Sequence, residues 1–129
     1  MKSKHPGRIP EYLQHILDAI NRSLSYVAAM NVESFNRDTR TQDAVIRSIQ
    51  IIGEAANKVR TTDPEFAAQH PQVPWAAMYG MRNRVIHDYF EVDLAVVWQT
   101  VQQDLPELRD QMLALLNDID KTHGIPRKP

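Results

Sequence analysis

The 129-residue sequence contains no cysteine. That excludes disulfides and cysteine–zinc centres and suits a reducing compartment, so a cytoplasmic location is expected. Glycine is scarce, with four residues, and no segment alternates strictly between polar and apolar, which argues against a sheet. There is no glycine-rich phosphate loop and no repeat at solenoid spacing. No apolar run approaches the ~20 residues that a membrane span needs, so no membrane partner is expected. Met1-Lys2-Ser3-Lys4-His5-Pro6-Gly7 carries charge without an apolar stretch, so no signal peptide is expected. An excess of one charge is missing too: 15 Lys and Arg against 16 Asp and Glu leave a net charge of −1. A basic nucleic-acid coat is thereby excluded; any nucleic-acid contact must be local, or built by joining two chains. None of the histidines (His5, His15, His70, His87, His123) lies three to five residues from another. No zinc-type pair exists, and neither a metal nor a cofactor is expected.

What remains is a helical period. The length suits one domain spanning 1–129, with a core at about 9–119 and a loose tail at 120–129. Pro10 predicts the start of a first helix, along which Leu13, Ile16, Leu17, Ile20, Leu24 and Val27 share one face. It is expected to end near Met30-Asn31, followed by a short turn or helix over Glu33–Arg37. Thr39 and Gln42 fit a capping box that opens a second long helix to about Arg60. Val45, Ile49, Ile52, Ala56 and Val59 mark its buried stripe, and Asp43, Arg47, Gln50, Glu54 and Asn57 a polar one. Gly53 interrupts it at a cost of about 1 kcal/mol relative to Ala, which a close helix–helix approach or simple tolerance would explain. Asp63-Pro64 reads as a cap and first turn, and His70 to Pro74 as a loop. A further helix is expected from Pro74 or Trp75 towards Gly80. A last pattern runs from Leu94 to Ile119, kinked or split by Pro106. The fold class that follows is all-α, an antiparallel bundle of four to five helices.

Against this plain scaffold stands Met81-Arg82-Asn83-Arg84-Val85-Ile86-His87-Asp88-Tyr89-Phe90, with the pattern R-N-x-x-x-H-x-Y. Arg binds phosphate as a planar fork and keeps its charge, and His takes or gives a proton near neutral pH. On one continuous helix, Arg82 and His87 would stand about 140° apart, whereas Asn83 and His87 would share a face. Arg82 and His87 therefore need a helix boundary after Gly80, a long reach, or partners from a second chain in a two-fold dimer. The ordinary alternative makes Val85, Ile86 and Phe90 core, Arg84 and Asp88 a surface pair, and Arg82 and His87 solvated.

Several elements occur together in order: Leu13-Gln14-His15-Ile16-Leu17, Arg40-Thr41-Gln42-Asp43-Ala44-Val45-Ile46-Arg47, Ile51-Ile52-Gly53-Glu54-Ala55-Ala56, Pro74-Trp75, the Arg–His segment and Val97-Trp98. From about Tyr12 to Leu108 the chain resembles the HepT family of HEPN-domain proteins, the toxins of HepT–MntA systems. The resemblance implies a homodimer whose interface holds an RNA-cleaving site. It places the catalytic pair on Arg82 and His87, the accompanying polar residue on Asn83, and the H-x-Y extension on Tyr89. It further implies a metal-independent endoribonuclease leaving a 2′,3′-cyclic phosphate. An MntA-like minimal nucleotidyltransferase antitoxin would neutralise it by transferring AMP to Tyr89. Glu54 is either a solvated face residue or a buried partner for an arginine near the cleft. Trp75 and Trp98 read as core or dimer packing, and His15 and His70 as surface or core-edge. The competing readings are a non-catalytic HEPN dimer that binds a nucleotide or a nucleotidyltransferase, and a helical interaction domain without an active site.

Overall fold

The computed structural model describes residues 8–86 and 91–123. These form helices α1 (Arg8–Val27), α2 (Val32–Asn36), α3 (Thr39–Thr62), α4 (Pro64–Gln69), α5 (Trp75–Val85), α6 (Leu94–Gln99) and α7 (Leu105–His123), with a π-helical segment, Thr100–Asp104, between the last two. No strand occurs among the described residues; the single bridge pairs Ile86 with Val92. The all-α bundle expected from the period is what the chain forms. α3 packs along both α1 and α5, and α7 closes against α1. The apolar stripes meet at Leu13, Ile16, Ile20, Ile49, Ile52, Leu105, Met112 and Leu116, all buried in one core. Trp75 is buried there too, while half-buried Trp98 stacks on Phe35 at 5.2 Å. No described helix is long and apolar enough to cross a membrane.

The boundaries shift where side chains find other partners. α1 begins at Arg8, two residues before Pro10, which still falls in the first turn where a missing N–H is harmless. It stops at Val27 rather than Met30-Asn31, because Asn31 serves the next helix. The Asn31 Oδ1 accepts the Ser34 N–H at 2.9 Å, and the Ser34 Oγ accepts the Asn31 N–H at 3.0 Å. The Thr39–Gln42 box is not formed. Asp38 caps α3 instead, accepting the Thr41 N–H at 3.0 Å and the Thr41 hydroxyl at 2.9 Å. Gln42 turns back to the Phe35 carbonyl at 2.8 Å. The cap at Asp63 is as expected, with its Oδ1 accepting the Phe66 N–H at 3.0 Å. His70 is part of the following turn: its carbonyl accepts the Trp75 indole N–H at 3.1 Å, and its ring lies 4.5 Å from Phe66.

Pro106 does split the last pattern, and the split has a definite form. Proline cannot donate to the carbonyl four residues back, and its ring crowds that turn. The chain widens beforehand into the π segment, where the Leu105 N–H reaches the Thr100 carbonyl. α7 then restarts with Pro106 in its first turn, the position that tolerates it. The helix runs on to His123, past the expected core limit at 119.

Candidate functional site

Gly53 sets the site. A Cβ on it would stand 3.1 Å from the Met78 carbonyl oxygen and 3.2 Å from that of Tyr79. The close approach offered as one reason for a glycine here is real: α3 lies against the backbone of α5 at this point. Beside the contact the helices diverge into a cleft of about 390 Å³. Gln50, Glu54, Asn57 and Lys58 line it from α3, and Tyr79, Arg82 and Asn83 from α5. The exposed polar stripe of α3 thus ends as one wall of a cleft. The residues on α5 follow i, i+3, i+4 spacing, which puts them on one face.

α5 does not end at Gly80. It continues to Val85, because Met78, Met81 and Val85 are buried in the core and their packing outweighs the glycine's cost. Arg82 and Asn83 are therefore helical, exposed, and in the last turns, where the helix dipole favours cations. The Arg82 Nη1 donates to the Asn83 Oδ1 at 3.2 Å. Among the described residues Arg82 has no carboxylate partner. Arg84 does, but not Asp88: its Nη2 stands 3.6 Å from the Asp104 Oδ2. That pair borders a second cavity of about 240 Å³ on another flank of α5, floored by Met78, Met81 and Leu108.

Ile86 leaves the helix in extended geometry, φ −121° and ψ 112°. The helix boundary thus falls after Val85 rather than after Gly80. His87, Asp88, Tyr89 and Phe90 lie outside the described residues. The positions flanking them are pinned together by the Ile86–Val92 bridge and by the Asp93 N–H on the Val85 carbonyl at 2.8 Å. Glu54 is exposed and makes no ion pair with Arg82, so it is not a buried partner; it shares the cleft wall opposite. His15 is exposed on α1. No cluster of three or more His, Cys, Asp or Glu among the described residues is placed to hold a metal ion. Sequence reasoning passed over Tyr79 and Lys58; the spacing of Tyr79 to Arg82 and Asn83 was the signal that could have found the tyrosine.

Fold and cleft together define a class: a small all-α bundle presenting, at a helix end, an arginine with no carboxylate partner among the described residues and a neighbouring amide. Comparison with known proteins narrows it. The family described as "Ribonuclease HepT-like" matches residues 16–115. A protein of Thermococcus cleftensis named "Probable ribonuclease HepT" is 39% identical over 84% of this chain and 93% of its own. A second, from Caldanaerobacter subterraneus subsp. tengcongensis, is 36% identical over 90% of this chain and 96% of its own. A third, from Methanocaldococcus jannaschii, is 32% identical over 84% of this chain and 88% of its own. The last two are provisionally named RNases. No solved structure matches the chain. The chain belongs to the HepT-like ribonuclease family.

Proposed function

We propose that this protein is a metal-independent endoribonuclease, the toxin of a toxin–antitoxin pair, acting as a homodimer with one RNA site at the two-fold interface. The observation that carries the proposal is Arg82. It is exposed in a polar cleft with a neutral amide as its only described partner, three residues before the helix end that leads to His87. An arginine without a counter-charge among the described residues has its donors open to a phosphate. The relatives' names support RNA as the substrate.

In this mechanism RNA supplies its own nucleophile, the ribose 2′-OH. A neutral His87 takes the 2′-OH proton as O2′ bonds to phosphorus. The bond from phosphorus to the 5′ oxygen breaks, and a protonated His87 of the second copy gives that oxygen its proton. The products are a 2′,3′-cyclic phosphate and a 5′-hydroxyl, and the two histidines end with their protons exchanged. Arg82 holds the scissile phosphate and offsets the added charge of the transition state. Asn83 positions Arg82 through their hydrogen bond and offers its amide N–H groups to a phosphate oxygen. Glu54 supports the cleft from α3.

Regulation follows the same charge logic. A minimal nucleotidyltransferase antitoxin of the MntA type transfers AMP to Tyr89: the phenolic oxygen bonds to the α-phosphorus of ATP, pyrophosphate leaves, and the phenolic proton passes to the transferase. The bulky anion then competes with the RNA phosphate for Arg82. Intact-mass measurement after co-expression with the transferase should show one AMP moiety on Tyr89; unmodified Tyr89 in neutralised cells overturns this step. For the catalytic reading, partner-free protein is incubated with total RNA in EDTA beside the His87→Ala variant. Cleavage by wild type alone, leaving cyclic phosphate ends, is expected. No cleavage with Tyr89 unmodified would move the assignment to a non-catalytic dimer that binds a nucleotide or a transferase.

A further inference from the structure

Tyr79 has no role in the scheme above, yet it is the most exposed large hydrophobic residue described, at 49%. It belongs to the cleft wall that carries Arg82 and Asn83, on the same face of α5. One side of its ring is covered by a cation: the Arg60 guanidinium carbon lies 5.4 Å from the ring centroid, within cation–π range. Among the described residues lining the cleft, Tyr79 is the one aromatic. Its neighbours there are amides and charges: Gln50, Asn57, Asn83, Lys58 and Glu54. An apolar protein seam would show a contiguous apolar patch, and this wall shows a single ring among polar groups. The local charge is basic, with Lys58, Arg60 and Arg82 against Glu54, in a chain whose net charge is −1. A basic groove that also offers an aromatic face is the combination by which single-stranded nucleic acid is held.

We propose that Tyr79, with the Arg60 guanidinium over one face of its ring, is the stacking platform for the nucleobase next to the phosphate held by Arg82. The proposal rests on the ribonuclease reading and adds to it a base subsite on α5. Stacking is tolerant of base identity, since every base has a π-face, so the subsite serves single-stranded RNA with weak sequence preference. Lys58 and Arg82, which line the same cleft, supply the backbone attraction. Base-paired RNA cannot offer a splayed base to the ring, so duplex substrates are disfavoured.

The test uses a single-stranded oligoribonucleotide spanning a mapped cleavage site, with 2-aminopurine beside the scissile phosphate. Binding to the His87→Ala protein should quench the fluorophore, and adding Tyr79→Ala should abolish the quench. In the active protein, Tyr79→Ala should raise KM roughly ten- to hundred-fold while Tyr79→Phe stays within about twofold, because the π-face is retained. Tyr79→Leu, which keeps bulk without a π-face, should behave like the alanine variant and guards against simple loss of folding. Quenching that survives Tyr79→Ala, or Leu matching wild type, overturns the proposal while leaving the ribonuclease reading intact. A Tyr79→Phe defect as deep as that of alanine overturns stacking in favour of the hydroxyl. Dissociation of the dimer by Tyr79→Ala, read by light scattering, makes the residue a seam contact and also overturns it. Wild-type protein that neither binds nor cleaves RNA removes the ribonuclease reading, and the subsite with it.

Discussion

Arg82 and Arg84 stand two residues apart on α5 and meet opposite surroundings. Arg84 finds the Asp104 carboxylate at 3.6 Å, across the bundle on the π segment. Arg82 finds a neutral side-chain amide from the next residue, at 3.2 Å. Both are exposed, so burial does not separate them. The counter-charge does. A guanidinium has five N–H donors and no acceptor; one already facing a carboxylate gains little from a phosphate, while one facing only an amide keeps most of its donors for a ligand. The contrast extends to the flanks. The Arg84 side of α5 borders a cavity lined in part by the side chains of Met78, Met81 and Leu108. The Arg82 side faces Gln50, Glu54, Asn57 and Lys58 of α3 beside the close approach at Gly53.

The largest expected effect breaks or confirms the contrast directly. Arg82→Ala should slow RNA cleavage by about 10²–10³-fold, the scale of losing one transition-state charge donor. Arg84→Ala should leave cleavage within about twofold and cost ~0–1 kcal/mol of stability, since the Arg84–Asp104 pair is half exposed and screened by solvent. Single-turnover cleavage and urea unfolding of the two variants, measured side by side, check both halves. Equal catalytic losses would mean that the counter-charge does not sort the two arginines.

The two glycines sharpen the comparison next. A side chain at Gly53 runs into helix backbone at 3.1–3.2 Å, and carbonyls held in a helix yield little. Gly53→Val should destabilise by about 1–3 kcal/mol, lowering the thermal midpoint by several degrees and disturbing the cleft. At Gly80 an added Cβ meets nothing within 4 Å. Gly80→Ala should therefore stabilise by about 0.5–1 kcal/mol through helix propensity alone. Thermal melts of both variants test the pair. A destabilised Gly80→Ala would show that this face of α5 is covered by another chain.

These cases also show how far the sequence could be read. The period of α1 and α3 was plain because one face of each meets the core, and burial enforces the spacing. Gly80 misled: a glycine near a helix end is a common stop signal, but Met81 and Val85 anchor the next turn in the core. The π segment was not legible, because Pro106 announces a disruption without saying how the carbonyls upstream are satisfied. Arg82, Asn83 and Glu54 were legible as candidates, and they line one cleft. The role of Tyr79 depends on which face of α5 turns to α3, and that is decided by the Gly53 contact rather than by local pattern.

The smallest effect concerns the acids, where the same contrast recurs. Glu54 lines the cleft and has no described partner; Asp38 is engaged as the cap of α3. The Thr41 backbone N–H, then the Thr41 hydroxyl, hold the Asp38 carboxyl below the usual carboxylate range, with the Arg40 charge adding to them. A depressed pKa contributes stability that is fully present above the unfolded value, about 3.9, and is lost as pH falls through the folded one. Asp38→Asn keeps an acceptor for the Thr41 N–H but removes the charge, and Asn is as good a cap as Asp. The stability gap between wild type and Asp38→Asn should thus be widest above the usual carboxylate range and close as pH falls below it. Thermal midpoints of wild type and Asp38→Asn between about pH 6 and pH 2.5 decide the matter. A gap that does not change across this range would mean that the charge of Asp38 adds nothing to its cap, and the division between a structural acid at Asp38 and an available one at Glu54 would fail on the α3 side.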